Sequence, residues 1–138
     1  MTFQIQFFNI WALIVCFILN MLIGSFWYSS ILFGNIWLKL TTLKKENITN
    51  ESANKAMMLS IIPALVSIIL LWLILAFADA STIADAIIIG SLVSAGFIGM
   101  SALNLVLFEG RPFALALLNT GYSFVSMNVA AVILTLWR

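Results

Sequence analysis

A chain of 138 residues with 64% hydrophobic and only 8% charged side chains has too few polar groups to cover a soluble domain, so its apolar runs must face lipid. A net charge of +1 gives no basic face for nucleic acid, and the absence of histidine removes the commonest general base and excludes imidazole-held haem or zinc. The single Cys16 lies in an apolar run, where it reads as a small buried hydrophobe; it offers no internal disulfide, and no metal or cofactor is expected.

Residues 1–9 carry no Lys or Arg, and the apolar run continues past signal-peptide length without a small-x-small cleavage site, so it reads as a retained first span over 4–30. At 1.5 Å per residue that is about 40 Å of helix, enough to cross a bilayer with tilt. Leu32, Phe33, Ile36, Trp37 and Leu40 then recur at helical spacing, with Gly34, Asn35 and Lys39 elsewhere on the wheel, which predicts a short interfacial helix over 31–40. Residues 41–52 form the one extended polar loop. Its two glycosylation-type triplets, at Asn47 and Asn50, carry no weight in a loop expected on the cytoplasmic side.

The second span is expected over 53–78, with a kink near 59–63 because Pro63 removes a backbone hydrogen bond. A turn at 79–82 leads into the third span over 82–108, where Thr82 and Asp85 have capping-box spacing. Glu109-Gly110-Arg111-Pro112 makes the next turn, and the fourth span covers 112–137, with Pro112 suited to a first helical turn. The fold class is therefore an all-α membrane protein. Its single domain is a compact bundle of four transmembrane helices with a short interfacial helix after the first.

Polar side chains inside these spans are costly unless they face other helices or water. Asn119, Tyr122, Ser123 and Ser126 follow i, i+3, i+4, i+7 on the fourth span, Ser101 and Asn104 share a face of the third, and Asn20 lies on the first near Gly24 and Ser25. Asn20, Asn104, Asn119 and Tyr122 are expected to meet in one polar pocket. It would open toward Glu109 and Arg111, at the face where Trp27 and Tyr28 emerge. Arg111 has the geometry to clamp a phosphate or carboxylate headgroup. These eight residues are the candidate ligand-binding set, and none is assigned a catalytic role. The competing reading makes the asparagines interhelical glue and Glu109/Arg111 an ordinary turn pair of little energetic weight. Ser91, Ala95 and Gly99 form a small-xxx-small row suited to packing within the bundle or between copies of a homo-oligomer. Tryptophans 11, 27, 37 and 137 sit near span ends, as interfacial aromatics do; Trp72 lies within a span.

Asn9, Gly24-Ser25-Phe26-Trp27-Tyr28-Ser29, Leu32-Phe33-Gly34 with Trp37, Asn104, Phe108-Glu109-Gly110-Arg111-Pro112, Asn119-Thr120-Gly121-Tyr122 and Trp137-Arg138 together form a pattern spanning almost the whole chain. The pattern resembles the small bacterial membrane-protein family known as domain of unknown function 1761. The family's Trp-Tyr-Ser-Pro element has Ser30 in place of proline here, which softens the expected break after the first span. The resemblance implies four spans and a bacterial inner membrane, and it supplies no activity.

Four functions are open at this level, and a channel is the weakest for a monomer, since four short-looped spans leave no obvious pore without a symmetric oligomer. The chain could bind or move a lipid or small amphipathic ligand at its polar pocket, with membrane lipids as partners. It could instead be a non-catalytic structural or accessory subunit of a membrane complex. An intramembrane enzyme using Glu109 is less favoured than binding, with neither a histidine nor a second carboxylate beside it. Lys39, Lys44, Lys45, Lys55 and Arg111, five of the six basic residues, flank the first and third connections, which the positive-inside rule puts in the cytoplasm with both termini outside. Single cysteines introduced near Lys45 and Ala80 test this. A membrane-impermeant thiol reagent applied to intact cells should label the Ala80 site alone, and labelling of only the Lys45 site would invert the topology.

Overall fold

The computed structural model describes residues 9–41, 46 and 48–137. Residues 4–8 of the expected first span, Lys44 and Lys45 of the polar loop, Asn47 of the first triplet and Arg138 lie outside the described residues. The described chain is helical, with no strand: α1 (Ile10–Trp27), α2 (Gly34–Leu40), α3 (Asn50–Phe77), α4 (Ile83–Ser91), a π-helical segment (Leu92–Gly99), α5 (Met100–Glu109) and α6 (Phe113–Leu136). The third span is thus one helical rod, Ile83–Glu109, whose middle is wound as π-helix. With α1, α3 and α6 it makes four helices long and apolar enough to cross a membrane among the described residues.

Local chemistry sets the helix ends. Asn9 caps α1, its Oδ1 accepting from the Trp11 and Ala12 amides at 3.0 and 3.3 Å, while its Nδ2 donates to the Trp137 carbonyl at 3.4 Å and ties the start of α1 to the end of α6. Thr49 Oγ1 accepts from the Ser52 amide, which starts α3 three residues before the apolar run. At the far end of α3 the Asp79 and Ala80 amides reach back to the Ala76 and Leu75 carbonyls, with Asp79 at φ 51°, a left-handed helix stop. The expected capping box opens α4: Asp85 Oδ2 accepts from the Thr82 amide at 2.9 Å, and Thr82 Oγ1 accepts from the Asp85 amide at 3.1 Å. Gly110, at φ 66°, ends α5 in a conformation few other residues adopt, and Pro112 stands just before α6 rather than in its first turn.

Helices in lipid gain no hydrophobic energy from meeting each other, so close packing through small side chains must hold them together. Against α6, Cys16 Sγ reaches the Ala130 carbonyl at 3.7 Å, with Ala12 buried nearby on the same helix. On the other flank of α6 the buried row runs Ala86, Gly90, Ser94, Gly99. Its steps are four, four and then five residues because each π hydrogen bond spans one residue more than an α bond. A Cβ on Gly90 would come within 3.1 Å of the Asn128 Cα, and one on Gly99 within 3.0 Å of Thr120 Cγ2. Two members of the expected Ser91/Ala95/Gly99 row therefore face α6: Ser91 Oγ donates to Asn128 Oδ1 at 3.3 Å, Gly99 is buried, and Ala95 is exposed.

The core lies toward the end of the bundle that carries Asn9, Ala80 and Trp137, where Ile68, Leu71, Trp72 and Leu75 of α3 are buried. Toward the opposite end, which carries Glu109 and Arg111, packing loosens. α3 is continuous through Pro63, yet every residue from 50 to 63 is exposed, and burial resumes only from Ala64 onward. α5 likewise has no buried residue. The bundle is closed at one end and splayed at the other.

If the small row serves α4 against α6, Gly90→Val should destabilise the protein by about 1–3 kcal/mol through overpacking, and Ala95→Val should be close to neutral. Thermal unfolding in a mild detergent compares them. A larger loss from Ala95→Val would instead mean that the row packs against another chain.

Candidate functional site

The stretch after α1 turns back sharply. Phe33 and Gly34 amides donate to the Trp27 and Ser29 carbonyls at 3.1 and 2.8 Å, and Ser29 Oγ donates to the Phe26 carbonyl at 2.7 Å. Gly34 is buried against the backbone of Tyr28 and Ser29, and a Cβ there would overlap those atoms. The fold-back fixes two aromatic side chains. Trp27 packs on Phe33, ring centroids 4.8 Å apart, and a Cβ on Gly121 would come within 3.1 Å of its indole. Tyr28 meets Trp37 edge-on at 5.9 Å and Tyr122 at 5.5 Å. In the expected interfacial helix, Phe33 and Trp37 therefore turn toward the bundle while Leu32 and Ile36 remain exposed.

Two hydrogen bonds join α1 to α6 at this level. Tyr28 Oη donates to Asn119 Oδ1 at 2.9 Å, and Tyr122 Oη donates to Asn20 Oδ1 at 2.5 Å. Asn20 is only 7% exposed. Gly24 leaves room for the second bond, since a Cβ there would sit 3.3 Å from the Tyr122 hydroxyl. Ser123 and Ser126 use their hydroxyl protons on the Asn119 and Ser123 carbonyls of their own helix. Of the eight residues expected to form one site, Asn20, Trp27, Tyr28, Asn119 and Tyr122 thus come together.

The other three do not join them. Asn104 is exposed on α5, with no hydrogen-bond partner among the described residues. It belongs to the helix turn beyond the π segment. There the slower rotation per residue has displaced the face that a regular α-helical wheel assigns to it. Glu109 and Arg111 pair with each other, Arg111 Nε to Glu109 Oε2 at 2.8 Å, with side chains 50% and 52% exposed. An ion pair so open to solvent adds little stability, and it engages only the Nε–H of the guanidinium.

Beside the Asn20/Tyr122 bond lies a cavity of about 260 Å³, formed where α3 departs from the α1/α6 pair. Its polar wall is Asn20, Ser60, Ser67, Tyr122, Ser123 and Ser126; Met21, Ile98 and Met127 supply apolar surface, with Pro63 and Ala64 along α3. Ser60 and Pro63 are exposed, so this is a cleft and not a sealed hole. Ser60 and Ser67 were not anticipated. With Pro63 and Ala64 they follow i, i+3, i+4, i+7, the same spacing that marks the stripe on α6. Neither Glu109 nor Arg111 lines the cavity.

A protein-family profile described as "Protein of unknown function (DUF1761)" matches residues 11–135. No curated protein and no solved structure matches the chain. Two of the sequence elements that carry the resemblance interlock in space: the Gly24 to Tyr28 element contacts the Asn119 to Tyr122 element through the Tyr28–Asn119 hydrogen bond and both glycine contacts. The chain is a member of the DUF1761 family of proteins of unknown function.

Proposed function

We propose that this protein binds a lipid or small amphipathic ligand in the cleft between α3 and the α1/α6 pair, and that it can move that ligand between the cleft and the surrounding bilayer. The observation that carries this reading is a cavity within the membrane-spanning helices with one wall of hydroxyl and amide groups and another of apolar side chains. Polar side chains inside spanning helices are costly, and here six of them line one open space, Asn20 and Tyr122 while bonded to each other. At about 260 Å³ the cavity holds the volume of roughly nine waters at about 30 Å³ each. That is room for a headgroup-sized portion of a lipid, with the chains left in the bilayer. On the positive-inside orientation the splayed end faces the cytoplasmic leaflet of a bacterial inner membrane, which makes that leaflet the source of the ligand.

A second reading rests on α3, where residues 50–63 are exposed throughout. A helix of another membrane protein docked there would make this chain a non-catalytic accessory subunit. The enzymatic reading has less support, because Glu109 is paired with Arg111 and lies outside the cleft lining.

Native mass spectrometry of the protein released from lipid distinguishes the first two. Ala64→Phe fills the cleft from the point where α3 leaves the bundle and should remove most of the bound lipid while the protein stays folded. Tyr122→Phe, which deletes the bond to Asn20 at a cost of about 1 kcal/mol, should lower occupancy as well. Lipid occupancy unchanged in both variants, together with a stable partner in a mild-detergent pull-down, would favour the accessory role.

A further inference from the structure

The hydrogen-bonding state of the cleft narrows the ligand's chemistry, on the basis of the binding role proposed above. No lining residue carries a charge. A phosphate, carboxylate or ammonium group placed there would lose its hydration without gaining a counter-ion, which makes the cleft hostile to ionic headgroups. The lining hydroxyls are mostly spent: Ser60 donates to the Met57 carbonyl at 2.7 Å, Ser123 and Ser126 donate within α6, and Tyr122 donates to Asn20. Two donors remain. Asn20 Oδ1 is occupied by Tyr122, but the Asn20 Nδ2 protons have no partner among the described residues. The side-chain polar atoms both fully buried and unpartnered there are Trp27 Nε1 and Thr135 Oγ1, so Asn20 Nδ2 is not a sealed atom, and its residue lines the cleft. Ser67 Oγ, across the cleft on α3, likewise makes no hydrogen bond to a described residue.

An uncharged wall with free donors on two sides selects a neutral acceptor. We infer that the cleft takes the uncharged carbonyl oxygen of a hydrophobic molecule, held between Asn20 Nδ2 and Ser67 Oγ with its hydrocarbon against Met21, Ile98 and Met127. An acyl ester of a neutral glycerolipid and a ring ketone of a lipid-soluble quinone both supply this group.

Three probes in detergent solution with the intact protein separate the possibilities: a short-chain diacylglycerol, its dialkyl ether analogue without carbonyls, and a short-chain benzoquinone. The diacylglycerol or the benzoquinone should bind about tenfold tighter than the ether, and whichever binds names the source of the carbonyl. Ser67→Ala should erase most of that preference without altering the circular dichroism or unfolding temperature, because its hydroxyl bonds to no described residue. Asn20→Ala should erase the preference too, and Ser67→Ala keeps the test valid if Asn20→Ala fails to fold. Isotope-edited infrared spectra of the labelled carbonyl should show a lowered stretching frequency when bound, reverting in Ser67→Ala. Ether and ester binding equally, or Ser67→Ala retaining the full preference, would overturn the carbonyl assignment. The binding role itself would stand in that case if Ala64→Phe still abolished the shared affinity. Absence of binding by all three probes would remove both.

Discussion

α6 is the helix on which every other element of this protein is hung. It contacts α1, α2, α3, α4, the π segment and α5. In lipid, where helix association depends on close approach and hydrogen bonds, that arrangement requires α6 to be small-sided or polar in several directions at once. Its sequence is built this way. Ala130 and Ala131 are buried, Thr120 and Asn128 sit against Gly99 and Gly90, and Asn119 and Tyr122 bond to α1. The α1 contacts run antiparallel in a single register, from Asn9 with Trp137 through Cys16 with Ala130 to Tyr28 with Asn119.

The cleft follows from what α6 does not hold. α3 packs closely only from Ala64 onward, and its earlier residues stand clear of the bundle. Pro63 sits at the change. Its missing amide removes one bond of the helical ladder without ending the helix. The polar groups that would otherwise be buried between α3 and α6 are thereby left around open space. A tightly packed half and an open half are what a membrane protein needs if it is to stay folded while admitting a molecule from the bilayer.

The four spans, the capping box at Thr82 and the closeness of Asn20 to Tyr122 were legible in the sequence, because each depends on local spacing that a helical wheel or a capping pattern expresses directly. Asn104 was misplaced for a definite reason. The π segment between residues 92 and 99 changes the rotation of the rod, and neither its glycines nor its hydrophobicity announces it. α3 starts at Asn50 and not at 53 because the Thr49 cap extends the helix into polar residues that hydropathy alone leaves in the loop. Ser60 and Ser67 share the i, i+7 spacing that marks the stripe on α6, but the apolar residues around them on α3 mask it. Glu109 and Arg111, the charged pair of the third connection, meet in one solvent-exposed contact away from the cleft. The residues that line the cleft carry no charge at all.

The proposed role requires a molecule to sit in the cleft. A high-resolution density map of the protein in a lipid nanodisc is the sharpest test. Ordered density should lie between α3 and the α1/α6 pair, with a polar atom within hydrogen-bonding distance of Asn20 Nδ2 and a chain leading out past Pro63. A map in which residues 50–63 of α3 close against α1 and α6, leaving Asn20 and Ser67 bonded only to protein, would contradict it.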